Sequence, residues 1–171
     1  YNLKSRDVII CYNLEVIDIC LKDNVYQIGF KENEFLVNAN TIINCGGLWA
    51  DAVSAMVGIK DYKINLLKGD YYKTSYYKNL NCLIYPLPKD SSLGIHTVNH
   101  LDGSVSFGPN AYSVDEINYF IDGSYKNMFV KEITKYLKIN EDDISEDFSG
   151  IRPKIILNRE LQSDFIIIDE I

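Results

Sequence analysis

The stretch Thr41-Ile42-Ile43-Asn44-Cys45-Gly46-Gly47-Leu48-Trp49-Ala50-Asp51 decides how this chain is read. Its first five residues are short, β-rich and nearly all apolar, the pattern of a strand covered on both faces in a parallel sheet. A glycine pair follows. Residues 48–57 then recur with helical spacing and close at Gly58, which suits a helix C-cap. Strand, glycine pair and helix start make a βα turn, where a backbone without side chains lets a ligand come close.

Upstream of this turn the pattern is a β-meander. Residues 7–12 are mostly apolar and β-rich, and residues 14–21 alternate. Lys22-Asp23-Asn24 reads as a turn because Asp and Asn tolerate turn geometry. Residues 25–30, a second turn at 31–34, and residues 35–37 complete it. Downstream, from Ile64, the character changes. Strands are predicted at 68–75, 82–85, 93–98 and 104–107, with Pro86 and Pro88 around one turn and Asp102-Gly103 as a hairpin signal. Residues 114–119 and 125–137 have helical spacing. Asn140-Glu141-Asp142-Asp143 reads as a solvated acidic loop. The chain returns through 146–156 and ends on an apolar run. The fold class is α/β (α+β): one part holds the meander and the glycine turn, the next a mainly antiparallel sheet with flanking helices. The predicted boundaries are 1–61, 62–148 and a return segment, 149–171.

Composition narrows the function. The 171 residues are 47% apolar and 24% charged, a globular balance. A net charge of −7 with scattered basic residues argues against nucleic acid and anionic membrane surfaces. No apolar stretch is long enough to span a membrane, and no signal peptide is present. Four cysteines without a CxxC pair and two histidines argue against a metal site. Cys20 and Cys45 sit in apolar runs and are expected to be buried thiols. All four cysteines are expected to be reduced, which suits the cytoplasm. The chain opens at Tyr1 in mid-pattern and closes on Ile171, which reads as a polypeptide cut at both ends.

Six motifs in order carry a resemblance that spans nearly the whole chain. Residues 42–51 resemble the "VINCAGLWAD" segment of the D-amino-acid oxidase-like flavoprotein superfamily. Lys68-Gly69-Asp70-Tyr71-Tyr72 is similar to its "KGEYY" strand. The series from Leu83 to Pro88, from Leu93 to Thr97 and from Asp102 to Ala111 resembles "IYPVP", "LGVH" and "DGS…GPNA". Gly150-Ile151-Arg152-Pro153-Lys154 is similar to "GIRPK". Order and spacing match the L-2-hydroxyglutarate oxidase and dehydrogenase group best. The resemblance implies an FAD-dependent oxidoreductase with a partial FAD-binding domain over 1–61 and a substrate domain after it. The superfamily's GxGxxG pyrophosphate turn does not occur in this sequence. FAD is therefore expected in the complete protein and only weakly, or not at all, in this chain alone.

The chemistry implied is oxidation of a small 2-hydroxy acid by hydride transfer to flavin, which needs a cation, a base and apolar walls. Arg152 is the candidate cation, since a guanidinium binds a carboxylate by two parallel hydrogen bonds; a salt bridge to an acid such as Asp147 is the alternative. His96 is the candidate base, with an unperturbed pKa of about 6.5; a histidine satisfied by a backbone carbonyl is the alternative. Tyr71 and Tyr85 are wall candidates, and Tyr71 and Tyr72 must point to opposite faces of their strand. Lys154 could share the face of Arg152 and meet the second carboxylate of a dicarboxylate, or be solvated. Gly46, Gly47, Leu48 and Trp49 are the flavin-side candidates, with a simple tight turn as the alternative. His100 reads as a surface residue. The electron acceptor, oxygen or a quinone, is left open. Rival readings are a glycerol-3-phosphate or amine flavoenzyme, and a non-catalytic remnant that binds no FAD.

Overall fold

The computed structural model describes residues 8–78, 80–87, 94–162 and 166. The chain divides into two compact units, residues 1–63 and 64–171.

In the first unit β1 (Val16–Lys22), β2 (Val25–Phe30) and β3 (Leu36–Ala39) form an antiparallel sheet in that order. Lys22 pairs with Val25 across a two-residue turn whose members, Asp23 and Asn24, both have positive φ. Two such residues match the twist of the flanking strands, and Asp and Asn adopt this conformation more readily than other side chains. The expected meander is therefore present. Two other expectations are corrected. Residues 8–12 form no strand, and Val8, Ile9, Ile10 and Tyr12 are exposed. Residues 41–45 form none either, and Ile43 is 83% exposed. A strand exists only through its ladder partners, and among the described residues neither run has one. The glycine pair instead leads into a 3-10 turn, Gly47–Trp49, that continues as α1 (Ala50–Met56). Gly58 ends the helix as expected. At φ +89° its N–H donates to the carbonyl of Ala55 at 3.1 Å, and the next N–H, from Ile59, donates to Ser54 at 3.1 Å. That pair of bonds is the left-handed cap.

The second unit is built on β4 (Tyr62–Thr74), β5 (His96–Asn99), β6 (Val105–Gly108), β7 (Tyr112–Val114), β8 (Ser145–Leu157) and β9 (Glu160–Leu161). The sheet order is β5-β6-β4-β8-β9, with β7 also on β4. The pairs β4–β6, β4–β7, β5–β6 and β8–β9 are antiparallel. The return segment thus runs as β8, beside β4. One helix, α2 (Lys126–Ile133), is shorter than the expected 125–137, whose last residues form turns. The helix expected at 114–119 is absent: Val114 pairs with Leu66 as the end of β7, and sheet pairing overrides a local helical spacing. Residues 82–85 are not a strand. Ile84 is nevertheless tied to β5, receiving the N–H of Thr97 at 3.1 Å and donating its own to the Thr97 hydroxyl at 2.7 Å. Asp7, Pro88, Leu93 and most of the closing apolar run lie outside the described residues.

Alternation along β4 sets the two sides of the site. Lys68, Asp70, Tyr72 and Thr74 are buried, while Gly69, Tyr71 and Lys73 between them are half-buried, the period-two pattern of a strand. Tyr72, Val105 and Phe107 from the sheet meet Phe129 and Ile133, which lie on one face of α2, together with Ile95, Ile139 and Ile144. The Tyr72 and Phe129 rings are 4.6 Å apart. Burying each such side chain contributes roughly 1.5–3 kcal/mol. The acidic segment forms a 3-10 turn, Glu141–Asp143, capped by the Asn140 N–H on Asp143 Oδ2 at 2.8 Å. Among the described residues, no cluster of His, Cys, Asp and Glu could hold a metal, and no helix is long and apolar enough to cross a membrane. All four cysteines are free and exposed, which corrects the expectation of burial for Cys20 and Cys45.

Candidate active site

A cavity of about 440 Å³ lies in the second unit. β4 contributes Leu67, Lys68, Gly69 and Tyr71 to its lining, and the entry to β5 contributes Gly94 and His96. The link from β6 to β7 contributes Pro109, Asn110 and Ala111, and β8 contributes Gly150, Ile151 and Arg152. Close backbone approach shapes it. A Cβ on Gly69 would stand 2.6 Å from Pro109 Cβ, and one on Gly108 would stand 2.6 Å from Tyr71 Cδ1. Both are inside van der Waals contact, so only glycine lets the 108–111 link lie on β4.

Tyr71, His96 and Arg152, which the sequence reading selected separately, therefore share one wall system. Tyr71 stacks on Phe148 with ring centroids 4.3 Å apart. Burial, with Tyr85 nearby, pushes its phenol above the ordinary tyrosine range. Tyr72 takes the opposite face and is fully buried. His96 stacks on Tyr85 at 4.7 Å, and its Nδ1 lies 3.3 Å from the Gly94 carbonyl. A carbonyl only accepts, so this contact assigns the proton to Nδ1 and leaves the Nε2 lone pair free in the neutral ring. Arg152 is exposed, and among the described residues no carboxylate pairs with it. Asp147, its alternative partner, instead accepts the Ser106 hydroxyl at 2.5 Å.

Two expected members fall outside the lining. Tyr85 is the ring behind His96. Lys154 follows Arg152 by two positions on β8, but it does not reach the lining. Among the described residues, no Asp or Glu lines the cavity. The Lys68 ammonium is engaged already, donating to the Phe120 carbonyl and lying 3.8 Å from Asp70 Oδ1. Arg152 is thus the one lining cation without a protein partner among the described residues.

His100 is corrected from a surface residue to a bonded one. Its Nε2 lies 2.6 Å from Ser106 Oγ and 3.8 Å from Asp147 Oδ2. Ser106 uses its proton on Asp147, so His100 must donate to the Ser106 oxygen. Phe148 was missed by the sequence reading. Its spacing from Gly150 and Arg152 on one strand was the available signal. Asn110 was quoted inside a motif but given no role.

In the first unit the side chain of Asn44 holds the glycine turn. Its Nδ2 donates to the Ala50 carbonyl at 2.7 Å and to Ser54 Oγ at 3.0 Å, and its Oδ1 accepts the Gly46 N–H at 3.0 Å. Gly47 has φ +57° with no atom within 4 Å of a Cβ position. Leu48 is half-buried and Trp49 exposed. A fixed turn with open space above its backbone and an exposed indole fits residues that receive a planar cofactor.

A family model described as "FAD dependent oxidoreductase" (DAO) matches residues 2–170. The chain is 36% identical over 114 residues to the L-2-hydroxyglutarate dehydrogenase of Escherichia coli K12, covering 63% of this chain and 26% of that protein. It is 26% identical over 172 residues to the glycerol 3-phosphate dehydrogenase of Caloramator mitchellensis, covering 97% of this chain and 34% of that protein. Its fold is similar to that of the FAD-bound L-alpha-glycerophosphate oxidase of Mycoplasma pneumoniae, with a TM-score of 0.77 and 24% identity over 92% of this chain and 43% of that one. The chain thus spans less than half the length of each.

Proposed function

From its place in the FAD dependent oxidoreductase (DAO) family, to which this chain belongs, we propose that the protein oxidises a small 2-hydroxy acid, with L-2-hydroxyglutarate the first substrate to test. The observation that carries this reading is the cavity that brings Arg152, His96 and Tyr71 together with no acidic side chain among the described residues of its lining. Such a cavity favours an anion. Arg152 binds the substrate carboxylate through the two parallel N–H donors of its guanidinium. His96 Nε2 accepts the hydroxyl proton. The Tyr71 ring, fixed against Phe148, covers the apolar carbons. When bound, FAD supplies the two-electron redox chemistry. Gly46, Gly47, Leu48 and Trp49 are the residues of this chain that would hold it.

Glycerol 3-phosphate is the second reading. Among the described residues Arg152 is the lining's one cation without a protein partner and Lys154 stands off the lining, so these residues provide for one anionic group. A phosphate monoester needs one, and a dicarboxylate would look for a second. An amine substrate has less support, because among the described residues no carboxylate lines the cavity to receive an ammonium group. The test is anaerobic mixing of the full-length, flavin-loaded protein with L-2-hydroxyglutarate, a monocarboxylic 2-hydroxy acid and glycerol 3-phosphate, followed by the bleaching of oxidised flavin. Bleaching by a 2-hydroxy acid supports the proposal, and bleaching by glycerol 3-phosphate alone replaces it with the second reading. No bleaching by any of the three returns the non-catalytic remnant. Reoxidation by oxygen or by a quinone then identifies the electron acceptor.

A further inference from the structure

β4 carries a buried ion pair beside the cavity. Lys68 is 4% exposed and Asp70 1%. Asp70 is tied in three directions. Its N–H donates to Asn110 Oδ1 at 2.7 Å, its Oδ2 accepts the Tyr112 hydroxyl at 2.8 Å, and its Oδ1 faces Lys68 Nζ at 3.8 Å. Two of these ties grip residues on either side of Ala111, so one residue holds both ends of a short piece of cavity wall. The hold on Asn110 is a single one. Its Nδ2 is buried without a hydrogen-bond partner, so among the described residues the Asp70 N–H is what orients the amide. The wall also has little room to settle elsewhere, because Gly69 and Gly108 already bring it against β4.

We propose that Asp70 is a positioning residue, which touches no substrate but sets the wall at 109–111 and through it the fit of the anion. The role rests on the reading of this cavity as the substrate site. If Asp70 served only to satisfy Lys68, loosening its grip on the wall would lower stability and leave substrate affinity alone.

Tyr112→Phe separates the two. It deletes one hydroxyl and keeps the ring, which packs 4.9 Å from Tyr125. The experiment uses the full-length, flavin-loaded protein. It measures kcat and KM with L-2-hydroxyglutarate and with glycerol 3-phosphate, the flavin-to-protein ratio, and amide hydrogen exchange along the chain. The expected result is a KM raised about three- to tenfold for whichever substrate turns over, the range of one net hydrogen bond. kcat should stay within about twofold and the flavin ratio should not change. Faster exchange should be confined to residues 108–114. Asp70→Asn should shift KM further in the same direction, and Tyr112→Phe decides the matter if that variant does not fold. Unchanged KM, a fall in kcat alone, or unchanged exchange at 108–114 overturns the proposal. If the unsubstituted protein oxidises neither substrate, the functional reading fails, and the exchange result by itself decides whether Asp70 positions the wall.

Discussion

Among the described residues of the first unit, Ile19 is the one buried apolar side chain, while Ile9, Ile17, Leu21, Leu36 and Ile43 are exposed. In the second unit eight apolar side chains close into one cluster, and Phe107, Phe129 and Ile133 are fully buried. Both units carry alternating or helical apolar patterns of similar quality. The difference lies in what the pattern meets. β4 and β6 face α2, whereas in the meander the short α1 reaches β1 and leaves most of the apolar side chains of the three strands exposed. A binary pattern states which face is apolar; a covering layer decides whether that face is buried.

The sharpest way to break this contrast is to open the closed core. Phe129→Ala should destabilise by about 3–5 kcal/mol, the range for deleting a fully buried aromatic ring. Chemical denaturation of the full-length protein measures it. A loss below about 1 kcal/mol would mean that the cluster is not a packed core.

The next largest effect belongs to the cavity. Arg152→Met in the full-length protein should lower kcat/KM for a 2-hydroxy acid by about ten- to a hundredfold, since a charge-assisted contact is worth roughly 1.5–3 kcal/mol. Arg152→Lys keeps the charge without the planar fork and should restore only part of it. The flavin-to-protein ratio should stay unchanged in both. Loss of flavin would make Arg152 structural, and full kcat/KM in Arg152→Met would move the anion site elsewhere, with Lys154 the next residue to test.

Tyr72→Phe probes the core more gently. Burial pushes the Tyr72 phenol up to about 12, and its hydroxyl has no hydrogen-bond partner. The folded state therefore holds the phenolic proton more tightly than the unfolded chain, in which tyrosine titrates near about 10. This contribution is complete below about pH 10 and is lost as pH rises through about 12. Tyr72→Phe should flatten the alkaline loss of stability over that window. At neutral pH it should be neutral or add about 1 kcal/mol, because an unsatisfied buried group disappears. Melting across a pH series measures both arms, and an unchanged alkaline slope would show that Tyr72 does not titrate there.

Leu36→Ser, on the exposed face of β3, should stay within about 0.5 kcal/mol. A loss above about 1 kcal/mol in the full-length protein would show that this face packs against something more than the described residues.

These contrasts also explain what the sequence made legible. The turn at Asp23-Asn24, the helix start after Gly47 and the cap at Gly58 depend on residues next to each other, and each was readable. Alternation put Tyr71 and Tyr72 on opposite faces, and the family resemblance favoured Tyr71 for the pocket. Residues 41–45 were misread because strand identity depends on partners that no local pattern names. Val114 was misread because Leu66, far back in the chain, claims it for the sheet. His100 looked solvent-bound because its partners, Ser106 and Asp147, come from two other strands. The cavity followed the same rule: chemistry and motif singled out Arg152 and His96 as candidates, but Phe148 and the grip of Asp70 on Asn110 and Tyr112 emerge only when distant segments meet.

The pairing of β4 with β8 has a kinetic side. Hairpins such as β1–β2 close short loops quickly, whereas residues 62–74 and 145–157 must find each other across most of the second unit, the kind of non-local contact that slows folding. Tyr71 and Arg152 stand on these two strands, so the cavity they line comes into being only with that late event. An anion that binds the finished cavity and not the unfolded chain will hold the two strands together by mass action, and will slow their parting as its concentration rises above its dissociation constant.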